Sequence, residues 1–80
     1  MYQVQLLEIT NDEITHTFWV QGGQMLDSVY ALSPYRDLAA EIATEYEARQ
    51  IGAAIRAYRT NTNTYDEISY VFHVVPAERD

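Results

Sequence analysis

The chain contains no cysteine, and all five of its basic residues are arginine, so lysine is absent as well. Without cysteine there are no disulfide bridges, no thiolate-bound zinc or iron–sulfur cluster and no thiol catalysis. The absence of lysine fits either a GC-rich coding sequence or a surface selected to be uniformly negative. Nothing in this composition indicates an oxidising compartment.

Long apolar runs are also missing. The residues Met1–Gln5 carry neither the basic region nor the apolar stretch of a signal peptide. A transmembrane helix needs roughly 20 consecutive apolar residues, and no run approaches that length. We therefore expect a cytoplasmic protein without a membrane partner.

Positive charge is scarce as well. Twelve acidic residues against five arginines give a net charge of −7 at neutral pH. Direct binding to nucleic acid requires cationic groups that neutralise phosphates, so the composition predicts no direct nucleic-acid partner. Hydrophobic residues make up 48 % of the 80 residues, which is enough for a single folded domain spanning residues 1–80.

The strands are predicted by alternation of apolar and polar residues. One strand is predicted over Tyr2–Ile9, where a change of phase indicates a bulge or burial on both faces. A second is predicted over Ile14–Val20, and Gly22-Gly23 after it is typical of a hairpin turn. Three more strands are predicted at Met25–Leu32, Ala53–Thr60 and Ile68–Val75.

One helix is predicted over Pro34–Gln50, because Ser33 is a favourable N-cap and proline is tolerated at the first helical position. Gly52 follows shortly and predicts the helix end. Apolar side chains at helical spacing form a core-facing stripe. Its members are Tyr35, Leu38, Ala39, Ile42, Ala43 and Tyr46.

The predicted fold class is α+β in a single small domain. The element order is βββαββ, or ββαββ if the strand at Met25–Leu32 is absent. Because short turns join most of the strands, they pair antiparallel, which gives a sheet of four or five strands with one helix packed on one face.

Catalytic and metal-binding patterns are not found. His16 and His73 both fall inside predicted strands without ligand-type spacing, although carboxylates such as Asp12 or Glu67 could stand near them. The serines lack the sequence contexts of known nucleophiles, and no glycine-rich phosphate loop is present. We therefore predict no enzyme activity, no catalytic residue, no metal site and no cofactor.

Aromatic residues are frequent and could form an interaction surface. Trp19 and several tyrosines could lie on the sheet face away from the helix, where aromatic side chains are enriched at protein interfaces. The tyrosines are Tyr30, Tyr58, Tyr65 and Tyr70. Ordinary cross-strand packing would produce the same pattern.

Acidic residues form the other candidate surface. Asp37, Glu41 and Glu45 are four residues apart, so they would lie along one edge of the predicted helix. Such a row of carboxylates can imitate DNA phosphates, although a solvated helix face has the same pattern. Acidic turns are predicted at Asp12-Glu13 and Asp66-Glu67.

In size, acidity and architecture, together with these acidic positions and the lack of catalytic groups, the chain resembles small phage-encoded inhibitors, especially anti-CRISPR proteins. The resemblance implies a non-enzymatic inhibitor that occupies a basic, nucleic-acid-binding surface, such as that of a CRISPR effector, by DNA mimicry or simple blocking. The five arginines of this chain depart from a pure DNA mimic and leave room for ordinary protein–protein blocking. The resemblance also implies that the protein is located in the host cytoplasm if a phage encodes it.

The alternative function is a structural or regulatory interaction domain, of the antitoxin-like or self-associating phage type, that uses the aromatic sheet face and allows a homodimer. Salt separates the two functions, because charge-driven binding weakens with ionic strength and apolar contact does not.

Overall fold

The computed structural model describes residues 1–21 and 32–77. Its strands are β1 (Tyr2–Thr10), β2 (Glu13–Val20), β3 (Leu32–Ser33) and β4 (Ile68–Pro76), and its α-helix, α1, spans Glu45–Thr62. A short 3₁₀ turn, Arg36–Leu38, lies between β3 and α1. Within the described residues the four strands form one antiparallel sheet in the order β3-β2-β1-β4, with α1 packed on β1 and β4.

The predicted α+β class, with one helix on an antiparallel sheet, is confirmed, but the predicted helix position is wrong. Residues 34–44 lie outside α1, and Ala53–Thr60, predicted as a strand, lies mostly in the second half of that helix. One strand rather than two therefore follows the helix in the described chain. Alanine and arginine favour helix, so the residues of 53–60 are well suited to the structure they adopt.

The helix begins after Thr44, which the predicted boundaries placed inside a helix. The hydroxyl oxygen of Thr44 accepts a hydrogen bond from the Glu47 backbone N–H at 3.1 Å, which satisfies one of the free donors of the first turn. Glu45 and Glu47 add negative charge at the positive end of the helix dipole. Thr44 and Glu47 match the threonine-x-x-glutamate pattern of a capping box, a start signal that competes with Ser33-Pro34.

The segment before α1 is held extended by the ends of the strands. Tyr2 and Ile42 exchange backbone hydrogen bonds of 2.7 Å in both directions, and the Ala40 N–H donates to the Val20 carbonyl at 2.8 Å. These bonds use backbone groups that a helix would need for itself. Ser33 still accepts a backbone hydrogen bond at 3.1 Å, from Tyr35, but within a turn.

The core lies between α1 and the sheet face that α1 covers. It is built from Val4, Leu6, Val20, Ile42, Ala48, Ile55 and Tyr70. Ile42 is therefore buried as predicted. Leu38, Tyr35 and Tyr46 are exposed instead, because the stripe assumed a helix that is not there.

Cross-strand pairing assigns each residue to one of two sheet faces. Leu6 pairs with both Phe18 and Phe72, and these residues lie on the helix face. Gln5 pairs with Trp19 and His73 on the opposite side, which we call the open face.

The change of phase in β1 does not mark a bulge of that strand, because β1 pairs with β4 without interruption from Tyr2 to Thr10 and carries apolar side chains on both faces. A bulge is present where the β1–β2 register shifts at Glu8/Ile9, but it belongs to β2. It leaves Thr15 as the extra residue of β2. As a result Ile14 pairs with Ile9, and Glu8 pairs with His16.

Several predictions fall on residues outside the described ones. They are the Gly22-Gly23 turn, the 25–31 part of the third strand and the position of Tyr30.

Candidate functional site

Two acidic turns meet at one end of the sheet. Asn11 and Asp12 form the tight β1–β2 turn with φ of 51° and 65°, a left-handed conformation that asparagine and aspartate tolerate well. The Asn11 N–H donates to the Glu67 carbonyl at 3.2 Å, which ties this turn to the one that precedes β4. Asp12, Glu13, Asp66 and Glu67 therefore share one edge of the molecule, which we call the hairpin end.

The four hairpin-end carboxylates are exposed. Among the described residues none of them forms an ion pair or a side-chain hydrogen bond. Neighbouring strands lie about 4.8 Å apart, so the two turns concentrate negative charge within a small area. This concentration favours a cationic partner.

The predicted acidic stripe does not exist as a helix face. Asp37 belongs to the 3₁₀ turn, Glu41 to an extended stretch, and Glu45 to the first turn of α1. These residues lie near the start of β1, about 25 Å from the hairpin end at 3.3 Å per strand residue. Glu45 is already paired with Arg49 at 2.7 Å. A contact of Asp37, Glu41 or Glu45 with a partner remains a prediction, but the helical spacing that motivated it is wrong.

The aromatic sheet face is also not formed as predicted. Trp19 does lie on the open face, but it is only 8 % exposed, because the Arg36 guanidinium covers its ring at 4.9 Å. Arg36 is held there by hydrogen bonds to the Gln3 side chain at 3.0 Å and the Pro76 carbonyl at 3.1 Å. Tyr70 is buried on the helix face and has 7 % exposure. Tyr58 and Tyr65 are exposed, on α1 and in the loop after it.

Aliphatic side chains occupy the open face instead. Leu7, Ile9, Val71 and Val75 are half-exposed there, beside the exposed Thr17 and His73. Among the described residues, only the segment around Arg36 covers part of this face, at the Trp19 end.

A hydrogen-bonded cluster around Glu8 was missed by the sequence reasoning. Glu8 Oε1 accepts from His16 Nδ1 at 2.8 Å, and Oε2 accepts from the Tyr70 hydroxyl at 3.1 Å. The Thr15 hydroxyl lies 3.3 Å from Oε1. The β-bulge creates this cluster, because without it Glu8 would face Thr15 rather than His16.

The cluster shifts two pKa values in opposite directions. Partial burial raises the pKa of Glu8, but the hydrogen bonds from His16, Tyr70 and Thr15 together outweigh it, so the pKa lies below its ordinary value. Burial, followed by the hydrogen bond to Glu8, raises the pKa of Tyr70. Glu8 is therefore a structural carboxylate held in its charged form.

The comparisons with known proteins identify no relative of this chain. Searches among protein families, curated proteins and solved structures found no match. Among residues 1–21 and 32–77, no three acidic or histidine side chains are arranged to hold a metal ion. In the same residues, no helix is long and apolar enough to cross a membrane.

Proposed function

We propose that this chain is a non-enzymatic binding protein whose hairpin end attaches to a basic surface of a nucleic-acid-binding protein. The observation that supports it is the convergence of Asp12, Glu13, Asp66 and Glu67 from two turns joined by a backbone hydrogen bond. Bound there, the chain would block the surface by occupancy and act as an inhibitor. A CRISPR effector, whose nucleic-acid channel is lined with cations, is the target class that we propose.

The physical reason is electrostatic. Four exposed carboxylates that have no partner among residues 1–21 and 32–77 repel one another, and arginines or lysines on a partner would relieve that repulsion. A cationic groove that normally holds phosphates supplies such groups at close spacing. Carboxylates presented on a rigid hairpin lose little freedom on binding, because the turn and its strands are already ordered.

The test compares two variants that carry the same change in charge. The first replaces the hairpin-end carboxylates, as Asp12→Asn, Glu13→Gln, Asp66→Asn and Glu67→Gln. The matched control replaces four carboxylates at the other end, as Asp37→Asn, Glu41→Gln, Glu45→Gln and Glu47→Gln. Both raise the formal charge from −7 to −3, because each removes four negative charges.

DNA cleavage by a panel of purified CRISPR effector nucleases is measured with each protein at low and at high salt. We expect the native chain and the control variant to inhibit at least one effector, and the hairpin-end variant to lose at least tenfold in potency. Inhibition by the native chain should weaken as salt rises. If the control variant loses potency and the hairpin-end variant does not, the predicted contact of Asp37, Glu41 and Glu45 is the one that binds. If both variants inhibit equally well, the hairpin end is not the binding surface. If the native chain inhibits no effector, this target class is wrong.

The open face supports a second candidate function, self-association or binding to an apolar partner. It rests on Leu7, Ile9, Val71 and Val75, which are aliphatic, so the aromatic basis of that alternative no longer applies. Association through this face would persist in high salt, and sedimentation of the native chain at low and high salt separates the two functions.

A further inference from the structure

β4 lies at one edge of the sheet, and half of its backbone groups point away from β1. The Ala77 N–H donates to the Met1 carbonyl at 2.9 Å, so the backbone N–H and C=O groups of the odd-numbered residues of β4 point toward β1. Backbone groups alternate along an antiparallel strand, so the even-numbered residues direct both N–H and C=O outward. The Tyr70 carbonyl confirms this, because it accepts from Arg56 Nε on α1 at 2.9 Å rather than from β1.

Side chains and turns close this edge at both ends. At the first end the Ile68 N–H donates to the Tyr65 carbonyl at 3.2 Å, and the Ile68 carbonyl accepts from Asn63 Nδ2 at 3.4 Å. At the other end Pro76 has no N–H, and its carbonyl accepts from Arg36 at 3.1 Å. These are the devices by which proteins protect sheet edges from unwanted pairing.

The middle of the edge is left open. Five outward groups have no partner among the described residues: the Tyr70 N–H and the N–H and C=O of Phe72 and Val74. We call Tyr70–Val74 the edge window. An extended segment of about five residues would satisfy all five groups by adding a strand to the sheet.

The helix leaves room above the edge window. A shallow groove of about 280 Å³ is lined by Ala53, Arg56, Ala57, Thr60 and Asn61. Arg56 borders both the groove and the edge, since its guanidinium reaches the Tyr70 carbonyl. The alanines and the threonine are short, so side chains of an added strand could enter the groove on the helix side. On the other side that strand would extend the aliphatic row that ends at Val71 and Val75.

We propose that the edge window takes an extended, basic segment of the partner protein as a fifth strand of the described sheet. This inference rests on the proposed function and specifies how the partner binds. Asp66 and Glu67 directly precede β4, so the hairpin end continues the edge and would hold the basic end of the segment. A second copy of this chain fits less well, because each copy brings a net charge of −7.

The test uses a short synthetic peptide of alternating valine and threonine with two arginines at its carboxyl end. Antiparallel to β4, its arginines would lie beside Asp66 and Glu67. The control peptide has the same composition with the arginines at its amino end. Binding and amide hydrogen exchange are followed by NMR on the full chain.

We expect the first peptide to protect the amides of Tyr70, Phe72 and Val74 by at least about tenfold. The amides of Val71 and His73 already face β1 and serve as internal controls. Shifts confined to the hairpin end would overturn the edge window but leave the proposed function standing. If neither basic peptide binds the chain at all, both the edge window and the proposed function are overturned. If the edge amides are already protected in a dimer of the native chain, the edge is assigned to a second copy.

A variant pair isolates the Arg56 contact. Arg56→Ala frees the Tyr70 carbonyl as a sixth group, so the peptide should bind about three- to tenfold more tightly. Arg49→Ala is the control. It also removes one positive charge from α1, and so reduces the repulsion of a basic peptide equally, but Arg49 pairs with Glu45 on the same helix and not with β4. Equal gains from both variants would mean that charge alone acts, and would contradict strand addition.

Discussion

Gly52 lies buried in the middle of α1, where glycine normally weakens a helix. A Cβ at this position would overlap Cδ2 of the Phe72 ring and would lie 2.8 Å from Cγ of the same ring. Cγ is fixed close to the β4 backbone, so the ring cannot move aside easily. The glycine is therefore required for the close approach of the helix to β4, and its use as a helix-end signal was wrong.

We predict that Gly52→Ala destabilises the protein by roughly 1–2 kcal/mol, because overpacking outweighs the gain in helix propensity. Urea unfolding measures the change. The double variant Gly52→Ala with Phe72→Leu should lose less unfolding free energy than the sum of the losses in the two single variants, because the smaller leucine side chain relieves the overlap. A higher unfolding free energy for Gly52→Ala would show that the contact relaxes without cost.

Glu8 makes stability depend on pH at the acidic side. Its pKa in the folded protein lies below the ordinary value of 4.5, so its contribution is present above about pH 4.5 and disappears as the pH falls through the folded pKa. Tyr70 acts at the alkaline side. Its folded pKa is raised above 10.0, so stability is lost as the pH rises through that pKa.

We predict that Glu8→Gln flattens the loss of stability between about pH 5 and pH 3, measured as the unfolding free energy at a series of pH values. His16→Gln is the control, because it retains Glu8 and its Tyr70 hydrogen bond. In His16→Gln the unfolding free energy should still fall between about pH 5 and pH 3, but less steeply than in the native chain. If the unfolding free energy of Glu8→Gln falls with pH as steeply as that of the native chain, Glu8 is not the source of the acid-side loss of stability.

At the scale of elements, the segment before α1 is a connector that backbone hydrogen bonds attach to the ends of the strands. Ile42 anchors it, with 8 % exposure and two backbone hydrogen bonds to Tyr2, whereas Leu38 is 49 % exposed. We predict that Ile42→Ala costs about 2–4 kcal/mol and Leu38→Ala less than about 1 kcal/mol, as measured by chemical unfolding. The reverse order would indicate that Pro34–Gln50 forms the helix after all.

At the scale of the whole molecule, charge is distributed unevenly. The hairpin end carries four carboxylates that are unpaired within the described part of the chain. Arg36, Arg49, Arg56 and Arg59 serve contacts within the protein or cover aromatic rings. The arginines that seemed to depart from a DNA mimic are thus largely used to hold the fold. Among the described residues, the hairpin end is therefore a group of four carboxylates that no arginine pairs with.

The bounds of β1, β2 and β4 could be predicted from the sequence to within one or two residues. The alternation of apolar and polar residues over eight or nine positions is a local property, and tertiary contacts did not override it. The β1–β2 turn followed from the same pattern, since Asn11-Asp12 lies between two strongly patterned strands. Asp66-Glu67 could be placed from the start of β4, which follows it directly. Their meeting at one end follows from pairing β1 with both β2 and β4.

The helix position, the Glu8–His16 pairing and the edge window were decided only by tertiary structure. Both 34–50 and 45–62 have a start signal and helical spacing, so local propensity does not choose between them. The choice comes from burial of Ala48, Gly52 and Ile55 against the sheet, and from strand ends that take the backbone hydrogen bonds of residues 40–42. A single-residue bulge likewise decided which side chain faces Glu8, because side chains alternate with a period of two along a strand and one extra residue reverses their faces.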